Sequence, residues 1–176
     1  MIMPRGQQLL LPANPLFVLF TLVMALFANM VANISFVSNA AWMPDFLAVV
    51  LVFWCVHQPR LVGIGAAFFL GVAIDVHQAS LLGQHALSYT ALGFLAVLVH
   101  RRLLWFTVPS QAMQVLPLFA VAHGLELLVR MTSGALFPGW PILIAPLFEA
   151  VLWPVVSVFL LAPQRRAPNP DANRPL

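Results

Sequence analysis

LFVLFTLVMALFANMVANISF, residues 16–36, decides the fold class. The stretch carries no charge, and as an α-helix it reaches about 30 Å, the thickness of a bilayer's hydrocarbon core. Five further apolar segments follow, at 42–56, 61–74, 86–99, 113–129 and 140–161. The whole chain agrees with them: 62% of its 176 residues are hydrophobic and 7% charged. A soluble domain has about 25% charged residues, so thirteen charges here cannot cover a water-facing globule. The expected class is an all-α integral membrane protein of about six transmembrane helices. Residues 1–15 precede it as a cytoplasmic segment, 16–162 form the membrane domain, and 163–176 form a disordered Pro-, Asn- and Arg-rich tail.

Ser38 and Ala40 satisfy a small-x-small cleavage rule, but residues 16–36 exceed the 7–15-residue apolar core of a signal peptide, so retention as a span is expected. The second segment has Trp42 at interface level, Pro44 suited to a first helical turn and Asp45 beside the positive end of the helix dipole. Segments two to four are short for a span. Tilting, packing against protein, or extension by a turn of polar flank would each accommodate them. Pro117, Pro146 and Pro154 inside segments five and six are expected to kink them.

The eight basic residues are all arginine and orient the chain. If six segments cross, Arg5, Arg60, Arg101, Arg102, Arg165, Arg166 and Arg174 share one side and Arg130 alone occupies the other. That asymmetry places both termini in the cytoplasm, whereas a re-entrant hairpin of segments two and three would strand Arg60. The arginines end apolar runs rather than forming a basic face, so nucleic acid is not an expected partner. One cysteine, Cys55, excludes an internal disulfide or a paired-thiol site. GxSxG, P-loop and dinucleotide fingerprints are absent, and Ser80, Ser88 and Ser133 have no triad-like context.

Small and polar residues mark two packing faces. Ala28, Asn29, Ala32 and Asn33 continue a stripe begun by Thr21 and Ala25, while Gly63, Ala67 and Gly71 recur at four-residue spacing. Such spacing permits close helix crossing, within the chain or with a partner. Ionisable groups at membrane depth face protein, a partner or water. Asp45 and Asp75 fall on the outer side, with His77, His85, His123, Glu126 and Arg130, as one polar cluster. His123, Glu126 and Arg130 share a helix face, and Glu126 stands at the favourable i to i+4 distance from Arg130. Glu149, mid-segment, is the deepest acid, with a neutral, hydrogen-bonded structural role expected of it. Asp75 at a helix C-terminus asks for compensation by His77, His123 or Arg130. Asp75, His77, His85 and His123 are zinc ligands by type, but Asp75-x-His77 is an unspecific loop spacing and no HExxH occurs, so neither metal nor other cofactor is expected.

Pro44-Asp45, then GVAID (71–75) and GQHALSY (83–89), give the chain a family likeness. It resembles the rod shape-determining protein MreD family. The resemblance implies a non-enzymatic inner-membrane subunit of the bacterial elongation machinery. Its implied direct partner is MreC, with MreB, RodA and a class B penicillin-binding transpeptidase reached indirectly. Pro44, Asp45, Gly71, Asp75, Gly83 and Tyr89 carry the likeness by position, with helix starts, close packing and turns as their duties. That family is similar in turn to the S components of energy-coupling-factor vitamin transporters, so a substrate-binding S component is the alternative. Reporter fusions after Arg60 and Arg102 test the topology: both are expected to be active only with a cytoplasmic reporter, and a periplasm-active fusion at either point contradicts it.

Overall fold

The computed structural model describes residues 14–34 and 43–164, without the side chains of Asn33 and Ile34. Expectations for Arg5, Ser38, Ala40, Trp42, Arg165, Arg166, Arg174 and the Asn33 side chain lie outside the described residues. Within them the fold is helical, with no strand: α1 Pro15–Ile34, α2 Phe46–His57, α3 Ile64–Gln78, α4 Gln84–Leu103, α5 Val108–Thr132 and α6 Ala145–Leu161. Short 3-10 turns, Trp140–Leu143 and Ala162–Gln164, bracket α6. The second of these ends at Gln164, which is buried and donates to the Leu160 carbonyl at 2.8 Å.

The helix α2 is the centre. Nine of its twelve residues are buried, and it touches α1, α4 and α6. A helix apolar all round belongs inside, and at about 18 Å this one is too short to cross a bilayer unaided. The short second segment is therefore accommodated by packing against protein. Phe53 and Trp54 on α2 meet Trp153 of α6 and Phe17 of α1. The indole N–H of Trp54 is satisfied at depth by Thr21 Oγ1, at 2.9 Å, and that of Trp153 by Gln111 Oε1, at 3.2 Å. Around α2 the chain continues in sequential pairs, α3 on α4, α4 on α5, and α5 on α6.

The outside is apolar. Leu16, Leu19, Phe20 and Phe27 of α1, Phe69 of α3, Leu98 of α4, and Val151 and Phe159 of α6 are all exposed. Exposed hydrocarbon on this scale suits lipid rather than water. Three helical stretches, Pro15–Ala32, Val108–Thr132 and Trp140–Gln164, are long and apolar enough to cross a membrane.

Several local expectations change. α2 starts after Asp45, whose Oδ1 accepts the Ala48 N–H at 3.0 Å, so Asp45 is the cap and Pro44 precedes the helix. Pro146 lies in the first turn of α6, where a missing N–H costs nothing, while α5 and α6 continue through Pro117 and Pro154. α3 does not end at Asp75 but runs to Gln78, closing at Ala79 with a left-handed φ of 49°. On α1 the face toward α2 carries Val18, Leu22, Ala25 and Asn29, with Ala32 half-buried; Ala28 points outward and leaves the expected packing stripe.

Of the glycine series on α3, Ala67 and Gly71 make the tight crossing, and they make it with α4. A Cβ on Gly71 would stand 2.5 Å from Ala86 Cα and 2.6 Å from the His85 carbonyl oxygen, and Ala67 Cβ lies 3.1 Å from where a Cβ on Gly93 would be. Gly63 instead caps α3, with its nearest neighbour, the Pro59 carbonyl oxygen, at an ordinary 3.7 Å. Gly71→Ala is thus expected to lower unfolding free energy in micelles by at least ~2 kcal/mol, as overpacking against backbone does. Gly65→Ala, which meets open space, should be neutral or gain up to ~1 kcal/mol from helix propensity. Equal stability of the two variants would contradict the crossing.

Candidate polar site at one end of the helix bundle

The first turns of α4 carry His85, Ser88 and Tyr89 at i, i+3 and i+4, a polar face on an otherwise apolar helix. Each reaches a different neighbour. Tyr89 donates its hydroxyl to Asp45 Oδ2, binding α4 to the start of α2. The Asp45 backbone N–H donates to Glu149 Oε1 at 3.0 Å, binding α2 to α6. His123 Nε2 donates to the same oxygen at 2.8 Å, binding α6 to α5. His123 Nδ1 lies 3.6 Å from Glu126 Oε2, and Glu126 Oε1 faces the Ser88 hydroxyl at 3.0 Å, which returns the connection to α4. Ser88 also reaches the Ala122 carbonyl at 3.0 Å. Four helices are thereby joined in one closed polar circuit.

Asp75 forms the adjoining half of the site. Its Oδ1 accepts the Ser80 hydroxyl at 2.9 Å, the His85 N–H at 2.8 Å and His85 Nδ1–H at 2.8 Å. Its Oδ2 accepts the N–H groups of Gly83, at 2.8 Å, and Ala86, at 3.3 Å. These amides are the orphan donors at the start of α4, so the carboxylate sits on that helix's positive end. The expected compensation by His77, His123 or Arg130 is replaced by this cap and by His85. His77 Nδ1 is buried with no hydrogen-bond partner. The turn that delivers the α4 amides requires Gly83, whose φ is 104°.

Two expectations are corrected here. Glu149 is not mid-helix: a 3-10 turn takes up residues 140–143, so Glu149 lies in the second turn of α6, level with Asp45 and His123. Glu126 pairs with His123 and Ser88 rather than with Arg130, which enters none of the ion pairs among the described residues. Ser88, Ser80 and Tyr89 are the partners that spacing alone left without a role, and the polar face on α4 is the signal that marks two of them.

Residues 10–162 match the sequence pattern of the family described as rod shape-determining protein MreD. The chain belongs to the MreD family. It is 29% identical over 127 residues to the rod shape-determining protein MreD of Haemophilus influenzae, covering 70% of this chain and 76% of the relative. No solved structure matches. The residues that carry the MreD likeness, Asp45, Gly71, Asp75, Gly83 and Tyr89, stand together here as cap, crossing and turn. Among the described residues no group of three or more His, Cys, Asp or Glu is arranged to hold a metal. The arrangement instead spends its carboxylates on N–H, O–H and imidazole donors, which fixes helix ends.

Asparagine variants separate the two halves. Either oxygen of Asp75 faces only donors, so Asp75→Asn sets an amide donor against N–H groups and is expected to cost about 2–4 kcal/mol. In Asp45→Asn the remaining oxygen keeps the cap and the amide faces a tyrosine oxygen able to accept, for a cost below about 1.5 kcal/mol. Denaturant titration in micelles reads both, and a larger loss for Asp45→Asn would contradict the assignment.

Proposed function

We propose that this chain is a non-enzymatic inner-membrane subunit of the cell-elongation complex, which binds MreC and through it supports lateral peptidoglycan synthesis and rod shape. MreB, RodA and a class B transpeptidase are the indirect partners of this reading. Membership of the MreD family carries it. The geometry supports it in one respect: the polar groups are consumed in holding helices together, as suits a scaffold that presents fixed surfaces to other membrane proteins. Both termini lie in the cytoplasm in this proposal and all six helices cross, the short α2 and α3 being sheltered by their neighbours. Asp45, Asp75, His123, Glu126, Arg130 and Glu149 then set the outer end against which MreC rests.

The vitamin-transporter reading asks for a pocket with several convergent polar groups. The cavity between α5 and α6, about 260 Å3, is lined by apolar side chains and His123. Depletion decides between the two. Cells lacking the protein are expected to round up, and MreC is expected to co-purify with it from solubilised membranes. Cells that keep their width while losing uptake of one vitamin would replace this function with the S-component one.

A further inference from the structure

The cavity between α5 and α6 opens on the lipid-facing side, where Ala120, Leu143 and Leu147 are exposed. Its α5 wall is Leu116, Ala120, Gly124 and Leu127, recurring at three- and four-residue steps, and Ile142 and Leu147 face it. From Leu116 to Leu127 the helix rises about 16 Å, the depth of one leaflet of a hydrocarbon core about 30 Å thick. Arg130 lies one turn beyond Leu127 on the same face of α5, half-buried and in none of the ion pairs among the described residues.

The connection above the groove places that arginine at headgroup level. Residues 131–148 carry no charge, and Leu136 and Trp140 are 91% and 77% exposed, with Phe137 packed edge-on to Trp140 at 5.8 Å. Apolar and aromatic side chains on a non-helical backbone belong at the acyl–headgroup boundary, where their tips enter hydrocarbon and the peptide groups stay hydrated. The same molecule shows the matching boundary at the opposite end of α5, where exposed Trp105 follows Arg101 and Arg102.

We propose that this groove holds one acyl chain of a phospholipid whose phosphate is paired by Arg130. Guanidinium matches phosphate in charge and in its planar donor fork, and an apolar slot one leaflet deep below it fits the chain of the same molecule. The lipid belongs to the leaflet opposite Arg101 and Arg102. It lies beside His123 and so borders the polar circuit without entering it.

Gly124 supplies the cleanest variant, because a Cβ there would meet nothing within 4 Å and a larger side chain starts out into the groove. Native mass spectrometry of the full-length protein, released from micelles containing phosphatidylglycerol, should detect one retained lipid. Gly124→Leu should lower its retention about tenfold, and Arg130→Gln should weaken it severalfold, neither with a fall in melting temperature. Retention unaltered in both variants would overturn the proposal. So would a photocrosslinker at Leu127 that captures a polypeptide instead of lipid in intact cells, since the groove would then be a helix-docking site.

Discussion

Hydrocarbon gives a helix little reason to prefer one apolar neighbour over another, since lipid tails are as apolar as leucine. In this protein the choice of neighbours rests on the closed polar circuit at one end of the bundle, from Tyr89 to Asp45, Glu149, His123, Glu126 and Ser88. Three of its links join α4 to α2, α2 to α6 and α6 to α5, His123 and Glu126 carry it along α5, and Ser88 returns it to α4. Asp75 adds α3 by seating its carboxylate on the first amides of α4. The contact requires the two backbones to approach closely, and Gly71 permits it.

Packing then follows from that arrangement. With α4, α6 and α1 placed around it, α2 is largely removed from lipid, which lets a helix too short to span on its own carry Phe53 and Trp54 at the centre of the core. The buried indoles would be costly without acceptors, and Thr21 and Gln111 supply them. The polar end and the aromatic core thus share α2, α5 and α6, the first adding α4 and the second α1.

Much of this was legible in the sequence, because the signals were local. Six apolar segments gave six helices, Asp45 stood beside the positive end of the α2 dipole, and the family resemblance brought a turn duty to Gly83. What stayed hidden depended on separation. The circuit joins Asp45 to Glu149 across 104 positions and Tyr89 to Asp45 across 44, and periodicity carries no information at that range. Asp75 illustrates the cost of reading one helix at a time: its own helix dipole disfavours it, yet the start of the next helix is the donor set it needs. Glu149 was placed too deep because Trp140–Leu143 is as apolar as a helix but turns as a 3-10 segment, with Pro141 in its first turn.

The central claim is that these links act as one unit, and a double-mutant cycle between residues that do not touch tests it most directly. Tyr89→Phe and His123→Gln break the circuit at two points, connected through Asp45 and Glu149 on one side and through Glu126 and Ser88 on the other. Unfolding free energies of the two single variants and the double variant, measured in the same micelles, should be non-additive by about 1 kcal/mol or more, as members of one network are. Additivity to within roughly 0.3–0.5 kcal/mol, the behaviour of independent sites, would contradict the account.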